Sequence, residues 1–164
     1  MGNGMDRKRR VVFICNRNAA RSQMAEGFLR AWYGDTCEAA SAGLQAFRVS
    51  RTAIRVMGEA GIDISSHRSK SVAELGERRF DLAVTLCDEA ACAPRAALPR
   101  ADRYLHKTFP DPSGFPGGEE EVLDAFRSVR DLIGAWIREE FGPAGQGPGD
   151  TRAGAPPPPD LQKT

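Results

Sequence analysis

The sequence predicts an α/β fold: a single three-layer domain with a four-stranded parallel sheet between helices. Three observations carry that expectation. Short apolar runs alternate with amphipathic helical patterns along most of the chain, the alternation expected of a parallel sheet covered on both faces. The run Leu82-Ala83-Val84-Thr85-Leu86 is nearly continuous in apolar residues, as in a strand buried on two sides. The length of 164 residues suits one domain with a sizeable core.

Residues 10–14 supply the first strand, around Val11, Val12, Phe13 and Ile14. Residues 21–33 follow as a helix, because Met24, Phe28, Leu29 and Trp32 recur on one face. Residues 37–41 give a second strand, closed by the turn-prone pair Ala42-Gly43. Residues 51–60 are helical through Ile54, Val56 and Met57, and Gly61 is placed to end that helix. A short helical turn at 72–76 precedes the third strand at 82–86, and 103–106 form a shorter fourth strand. Residues 119–141 make a long amphipathic helix through Leu123, Phe126, Val129, Ile133, Trp136 and Ile137. Three glutamates open it, at the positive end of its dipole.

The catalytic domain in this reading spans 10–141. Residues 1–9 form a basic N-terminal extension. From 142 to 164, Gly, Pro and Ala dominate and apolar periodicity ends, so a disordered tail is expected.

A formal net charge of +1 with mixed signs gives no strong pull toward nucleic acid or anionic membranes. No segment approaches membrane-spanning length, and the first apolar run lacks a signal-peptide layout. A cytoplasmic monomer is the expectation. In that reducing setting the four cysteines, at 15, 37, 87 and 92, are reactive or buried thiols rather than permanent disulfides. Neither His67 nor His106 stands at metal-ligand spacing from a cysteine pair, so no metal is expected.

The chemistry concentrates in Cys15-Asn16-Arg17-Asn18-Ala19-Ala20-Arg21-Ser22, between the first strand and the first helix. Five residues between cysteine and arginine let the backbone curl, so that the N–H groups of Asn16 to Ala20 face a tetrahedral anion. The helix adds the positive end of its dipole. Arg21 offers a planar, bidentate fork to two oxygens. Cys15 sits beneath the anion, where positive field favours a thiolate, and Ser22 is placed to donate to the sulfur. Cys-x5-Arg alone is a weak signal; its strand-loop-helix setting strengthens it.

Residues 15–27, CNRNAARSQMAEG, resemble the oxyanion loop of the low-molecular-weight phosphatase superfamily, and 21–27 are closest to its arsenate reductases. The resemblance continues through Ser41-Ala42-Gly43, residues 57–64, residues 84–90, Phe109-Pro110-Asp111-Pro112 and residues 125–133. It implies a low-molecular-weight phosphatase-like fold and conversion of arsenate to arsenite. Cys15 would attack arsenic to form a thiol-arsenate adduct. Cys87 would then attack the Cys15 sulfur and release arsenite, and Cys92 would move the disulfide to a Cys87–Cys92 pair. No bound cofactor is implied. An external reductant is: thioredoxin, or a small thiol with a glutaredoxin-like protein. Asp111 is the implied general acid, projected by the extended conformation that Pro112 favours. Asn18 braces the loop, and Arg68, Ser69 and Lys70 have surface or scaffold roles.

Three positions depart from the family pattern. Arg17 stands where small residues are common, either straining a positive φ or facing outward. Ala19 and Ala20 replace a serine and a second loop cysteine. Only four residues separate Cys87 from Cys92, a shorter connection than relatives carry. On a regular helix, residues five apart have Cα atoms roughly 8–9 Å apart, beyond the roughly 4.4–6.8 Å of a disulfide. Closure therefore needs a loop or an unwinding segment, and Pro94 favours a flexible loop. Two alternatives use the same residues: a phosphatase acting on phosphotyrosine or small aryl phosphates through a phosphocysteine, and a non-catalytic oxyanion sensor.

Overall fold

The computed structural model describes residues 7–142. Four strands, β1 (Arg9–Cys15), β2 (Cys37–Gly43), β3 (Arg79–Thr85) and β4 (Arg100–His106), form one sheet in the order β2-β1-β3-β4. Every neighbouring pair is parallel. The helices are α1 (Arg21–Tyr33), α2 (Arg51–Glu59), α3 (Asp88–Ala91) and α4 (Glu119–Phe141). Tight 3-10 turns occupy Val72–Leu75, Arg95–Ala97 and Pro112–Gly114. Among the described residues, no helix is long and apolar enough to cross a membrane.

Strand burial explains the layering. Val11, Val12, Phe13 and Ile14 are all fully buried although successive side chains point to opposite faces. Both faces of β1 are therefore covered, as the apolar runs predict. α1 packs on β1 and β2 and against α4. Gly134 permits the close approach of α4: a Cβ there would stand 3.1 Å from Phe28 Cζ. Trp136 fills the same region, meeting Phe13 and Phe109 edge-on.

Strand limits differ from expectation where strands meet solvent. β3 begins at Arg79 and β4 at Arg100, each three residues ahead of the apolar run. Apart from buried Phe80, their extra residues are polar or half-exposed, because β4 is an edge strand and the sheet's amino end faces water. β1 likewise begins at Arg9, paired with Cys37, and Arg7 bonds Asp81 at 3.0 Å. The outermost part of the expected extension, 1–6, and the expected tail beyond Gly142 lie outside the described residues.

The chain leaves β1 for β2 on one side and returns to β3 on the other. The crevice at the carboxyl ends of β1 and β3 is the topological switch point, where such folds bind ligands. Cys15 is the last residue of β1.

Candidate active site

The oxyanion loop is shaped by where its carbonyls go. Leu44 N–H donates to Cys15 O at 3.1 Å, Gln45 N–H to Asn16 O at 3.1 Å and Ser50 N–H to Ala19 O at 2.9 Å. With carbonyls tied outward to segment 44–50, the N–H groups of residues 16–20 have no protein acceptor among the described residues. α1 begins immediately afterwards with no side-chain cap on Ala20 and no acidic residue in its first turn. Unclaimed donors and an unopposed helix dipole leave residues 16–22 with positive potential at the mouth of the loop.

Asn18 holds the loop in place. It is fully buried at φ 55°, the only positive φ outside glycine among the described residues, and asparagine tolerates that region better than most. Arg17, the position where strain was in question, has turned its guanidinium toward the Phe47 ring instead. All four hydrogen-bonding capacities of the Asn18 amide are used. Nδ2 donates to Ser22 Oγ at 2.8 Å and to Ser41 Oγ at 2.9 Å. Oδ1 accepts from Gln23 Nε2 and from Lys70 N–H, both at 2.9 Å. Ser22 therefore accepts from Asn18, and its own proton is free for Cys15 Sγ at 2.9 Å. Gly43 lets the loop pass: a Cβ there would meet Asn18 N at 2.7 Å and Arg17 C at 2.8 Å.

Behind the loop lies a buried polar chain. Ser41 Oγ donates to Glu26 Oε1 at 2.6 Å, and Arg30 pairs with the other Glu26 oxygen. His67 Nδ1 donates to Gln23 Oε1 at 2.9 Å while Nε2 accepts from Arg30 at 2.8 Å. Burial pushes the His67 pKa down, Glu26 opposing and Arg30 and Lys70 assisting. The sequence reading gave no role to Glu26, Ser41, Gln23 or His67. A carboxylate on the apolar face of a helix and a serine between alanines in a strand were the available signals. Ser69 and Lys70 have the scaffold role expected: Ser69 Oγ accepts from Phe47 N–H at 2.9 Å and donates to Arg17 O at 3.2 Å.

Arg21 reaches the cavity above Cys15 and bonds Phe109 O at 3.2 Å. It pairs with Asp111 Oδ2 at 3.6 Å. Asp111 Oδ1 accepts from the Ser113 backbone and hydroxyl at 3.0 and 2.7 Å. Burial pushes its pKa up, but the Ser113 bonds and the charges of Arg21 and Arg17 outweigh that and hold it below the usual carboxylate value. An anion on Arg21 would offset the guanidinium charge and add negative charge nearby, both of which favour a protonated Asp111.

Cys87 adjoins Cys15 through strand register. Ile14 stands opposite Thr85, and Leu86 N–H donates to Ile14 O at 2.8 Å. Cys87 is buried, and burial pushes its thiol pKa up against a hydrogen bond from the Ala90 backbone. Cys92 is exposed. Where a flexible loop was expected, Cys87 and Cys92 are the N-cap and C-cap residues of α3. Asp88 and Glu89 in its first turn suit the dipole, and Pro94 follows beyond the end of the helix. A Cys87–Cys92 disulfide therefore requires α3 to unwind. Cys37 is buried at the start of β2, distant in the sheet from Cys15, as expected of a core residue.

Cys15, Arg21 and Asp111 line a cavity of about 1080 Å³, whose walls include Phe47, Arg48, Arg51, Glu89 and Ser113.

Known proteins are similar to this chain in sequence and fold. A sequence model described as low molecular weight phosphotyrosine protein phosphatase matches residues 10–139. The arsenate reductase of Halalkalibacterium halodurans is 40% identical over 131 residues, covering 80% of this chain and 94% of the relative. That of Bacillus subtilis is 39% identical over 129 residues, covering 79% and 92%. A solved arsenate reductase in the phosphate binding state aligns with a TM-score of 0.69 at 30% identity, over 81% of this chain and 96% of that one. The low molecular weight protein tyrosine phosphatase from T. tengcongensis aligns with a TM-score of 0.68 at 29% identity, over 82% and 98%. The chain belongs to the low molecular weight phosphotyrosine protein phosphatase family.

Proposed function

We infer that this protein is a thiol-dependent arsenate reductase. The observation that carries the reading is the company Cys15 keeps. Its cradle of unclaimed N–H groups suits a tetrahedral oxyanion, and a second thiol, Cys87, sits one strand away with a third, Cys92, exposed five residues on. A phosphatase needs only the first. The relatives named as arsenate reductases favour reduction over phosphoester hydrolysis.

Arsenate binds on the N–H groups of Asn16 to Ala20, with Arg21 on two of its oxygens. The Cys15 thiolate attacks arsenic and hydroxide leaves with a proton from Asp111, giving the thiol-arsenate adduct. The Cys87 thiolate attacks the Cys15 sulfur. The sulfur–arsenic electron pair passes to arsenic, which departs as arsenite, and a Cys15–Cys87 disulfide remains. Cys92, freed as α3 unwinds, attacks Cys87 and returns Cys15 to thiolate. An external dithiol of the thioredoxin type then reduces the Cys87–Cys92 pair, completing the two-electron balance.

The test is arsenate-dependent NADPH oxidation with thioredoxin and its reductase, run beside Cys87→Ser and Cys92→Ser. Turnover lost in both variants supports the three-thiol relay. Turnover with a small thiol and glutaredoxin that survives Cys92→Ser keeps the reductase and removes the relay. Silence with every donor, beside aryl-phosphate hydrolysis abolished by Cys15→Ser, replaces the reading with a phosphatase.

A further inference from the structure

Arg17, Arg21, Arg48 and Arg51 line the cavity above Cys15, and Glu89 of α3 faces the same space. Among the described residues, the exposed arginines of its rim, Arg17, Arg48 and Arg51, form no salt bridge. Arg21 is different: its side chain is only 11% exposed, and a carboxylate, that of Asp111, stands beside it. A carboxylate seated on that guanidinium would occupy the donors that an oxyanion needs. Charge-assisted pairs close to about 2.7–2.9 Å, yet Arg21 Nη2 and Asp111 Oδ2 stop at 3.6 Å. Each partner is held by something else. Arg21 Nη1 donates to Phe109 O at 3.2 Å, and the N–H of buried Phe109 donates to Leu86 O at 3.1 Å, so the arginine is tied to the end of β3. Asp111 is tied to its own turn: Oδ1 accepts from Ser113 N–H at 3.0 Å and from Ser113 Oγ at 2.7 Å. Two donors on one oxygen fix the orientation of the carboxylate, whereas one would leave it free to rotate. Prolines at 110 and 112 restrict the backbone on both sides of Asp111, so rotation of its side chain is the available way to close the gap.

We propose that Ser113 is a positioning residue: its hydroxyl holds the Asp111 carboxylate back from Arg21 and so keeps the guanidinium fork open for the oxyanion. The proposal rests on the reading that Arg21 binds the oxyanion. Ser113 acts through Asp111 in this role. Without the hydroxyl, Asp111 turns onto Arg21 and becomes an internal competitor that every incoming anion must displace. The same bond leaves Oδ2, the oxygen nearer Arg21, as the one free to carry a proton toward the cavity.

The test is a double-mutant cycle on the full chain, read as the Kd for inorganic phosphate by calorimetry at neutral pH. Ser113 is exposed, and Ser113→Ala leaves the backbone bond to Asp111 in place, so the fold is kept. The variant should raise the phosphate Kd about fivefold, the factor for breaking one ion pair at the upper end of the surface range. Ser113→Thr retains a hydroxyl and should bind within about twofold of the unaltered protein. In an Asp111→Asn background no carboxylate charge competes, and Ser113→Ala should change the Kd by less than about twofold. Equal weakening in both backgrounds overturns the proposal, because Ser113 then only braces the loop. So does unchanged binding in Ser113→Ala alone. In turnover, an internal competitor raises the KM for arsenate by the same factor and leaves kcat within about twofold; a fall in kcat at unchanged KM overturns the proposal. If the unaltered protein turns over no arsenate with any donor, the reductase reading falls and the phosphate cycle still decides the role of Ser113. If the unaltered protein binds no phosphate, the oxyanion site falls and this proposal with it.

Discussion

Ser22 Oγ stands 2.9 Å from Cys15 Sγ and already accepts from Asn18 Nδ2, so the serine proton is directed to the sulfur. The relationship ties Cys15 to the amide that also bonds Ser41, Gln23 and Lys70. Ser22→Ala removes the hydrogen bond to Cys15 Sγ, worth about 1.5–3 kcal/mol when the sulfur attacks as a thiolate. The expected loss in kcat for arsenate turnover is about ten- to a hundredfold. It also leaves one Asn18 N–H unpaired, so the thermal midpoint should drop by several degrees.

Gly43→Ala drives a methyl group into backbone: Gln45 O would lie 2.6 Å and Asn18 N 2.7 Å from the new Cβ. Neither neighbour is a flexible side-chain end, so the oxyanion loop must shift. Overpacking of this kind costs about 1–3 kcal/mol. Calorimetry should show a lowered midpoint, and phosphate should bind more weakly because the loop N–H groups no longer converge.

The cysteines differ in access. Cys92 is exposed, whereas Cys37 and Cys87 are buried and burial pushes both thiols above their ordinary pKa. Timed alkylation followed by mass spectrometry should label Cys92 well before either. Saturating phosphate should slow labelling of Cys15 and leave Cys92 unaffected, because only Cys15 lies beneath the cradle.

A raised Cys87 pKa sets the sign of a pH effect. The attacking species is the thiolate, and a raised pKa lowers its fraction at neutral pH. Arsenite release from the preformed Cys15 adduct should therefore accelerate with rising pH and still climb past about 8.5, the ordinary thiol value. Single-turnover rates between pH 6.5 and 9.5 measure this. A plateau below pH 8 would show that the Cys87 thiol is not the group that limits the step.

Much of the site was legible in the chain because its residues are neighbours in sequence. Cys15, Arg21 and Ser22 belong to one strand end and one helix start, and local geometry alone brings them together. The limits of α1 and α4 follow from helical periodicity, which long segments display clearly. β4 was read short because an edge strand needs few apolar residues, and α3 was read as a loop because four residues are too few to show a period.

The sequence by itself thus determined the parallel α/β fold and singled out Cys15, Arg21, Cys87 and Cys92 as candidates, since each rests on local pattern or residue type. Only the tertiary structure decided how they are held. Asn18 takes its positive φ because Ser41 and Lys70, far along the chain, offer partners for its amide. Glu26 and His67 become a buried pair of supports only when α1 meets the segment after Ile64. The arginines beside Phe47 become a rim only when the segment after β2 is bonded to the oxyanion loop. Hydrogen bonds and charges act over a few ångströms, and which residues come that close is settled by packing of the sheet and helices rather than by their order in the chain.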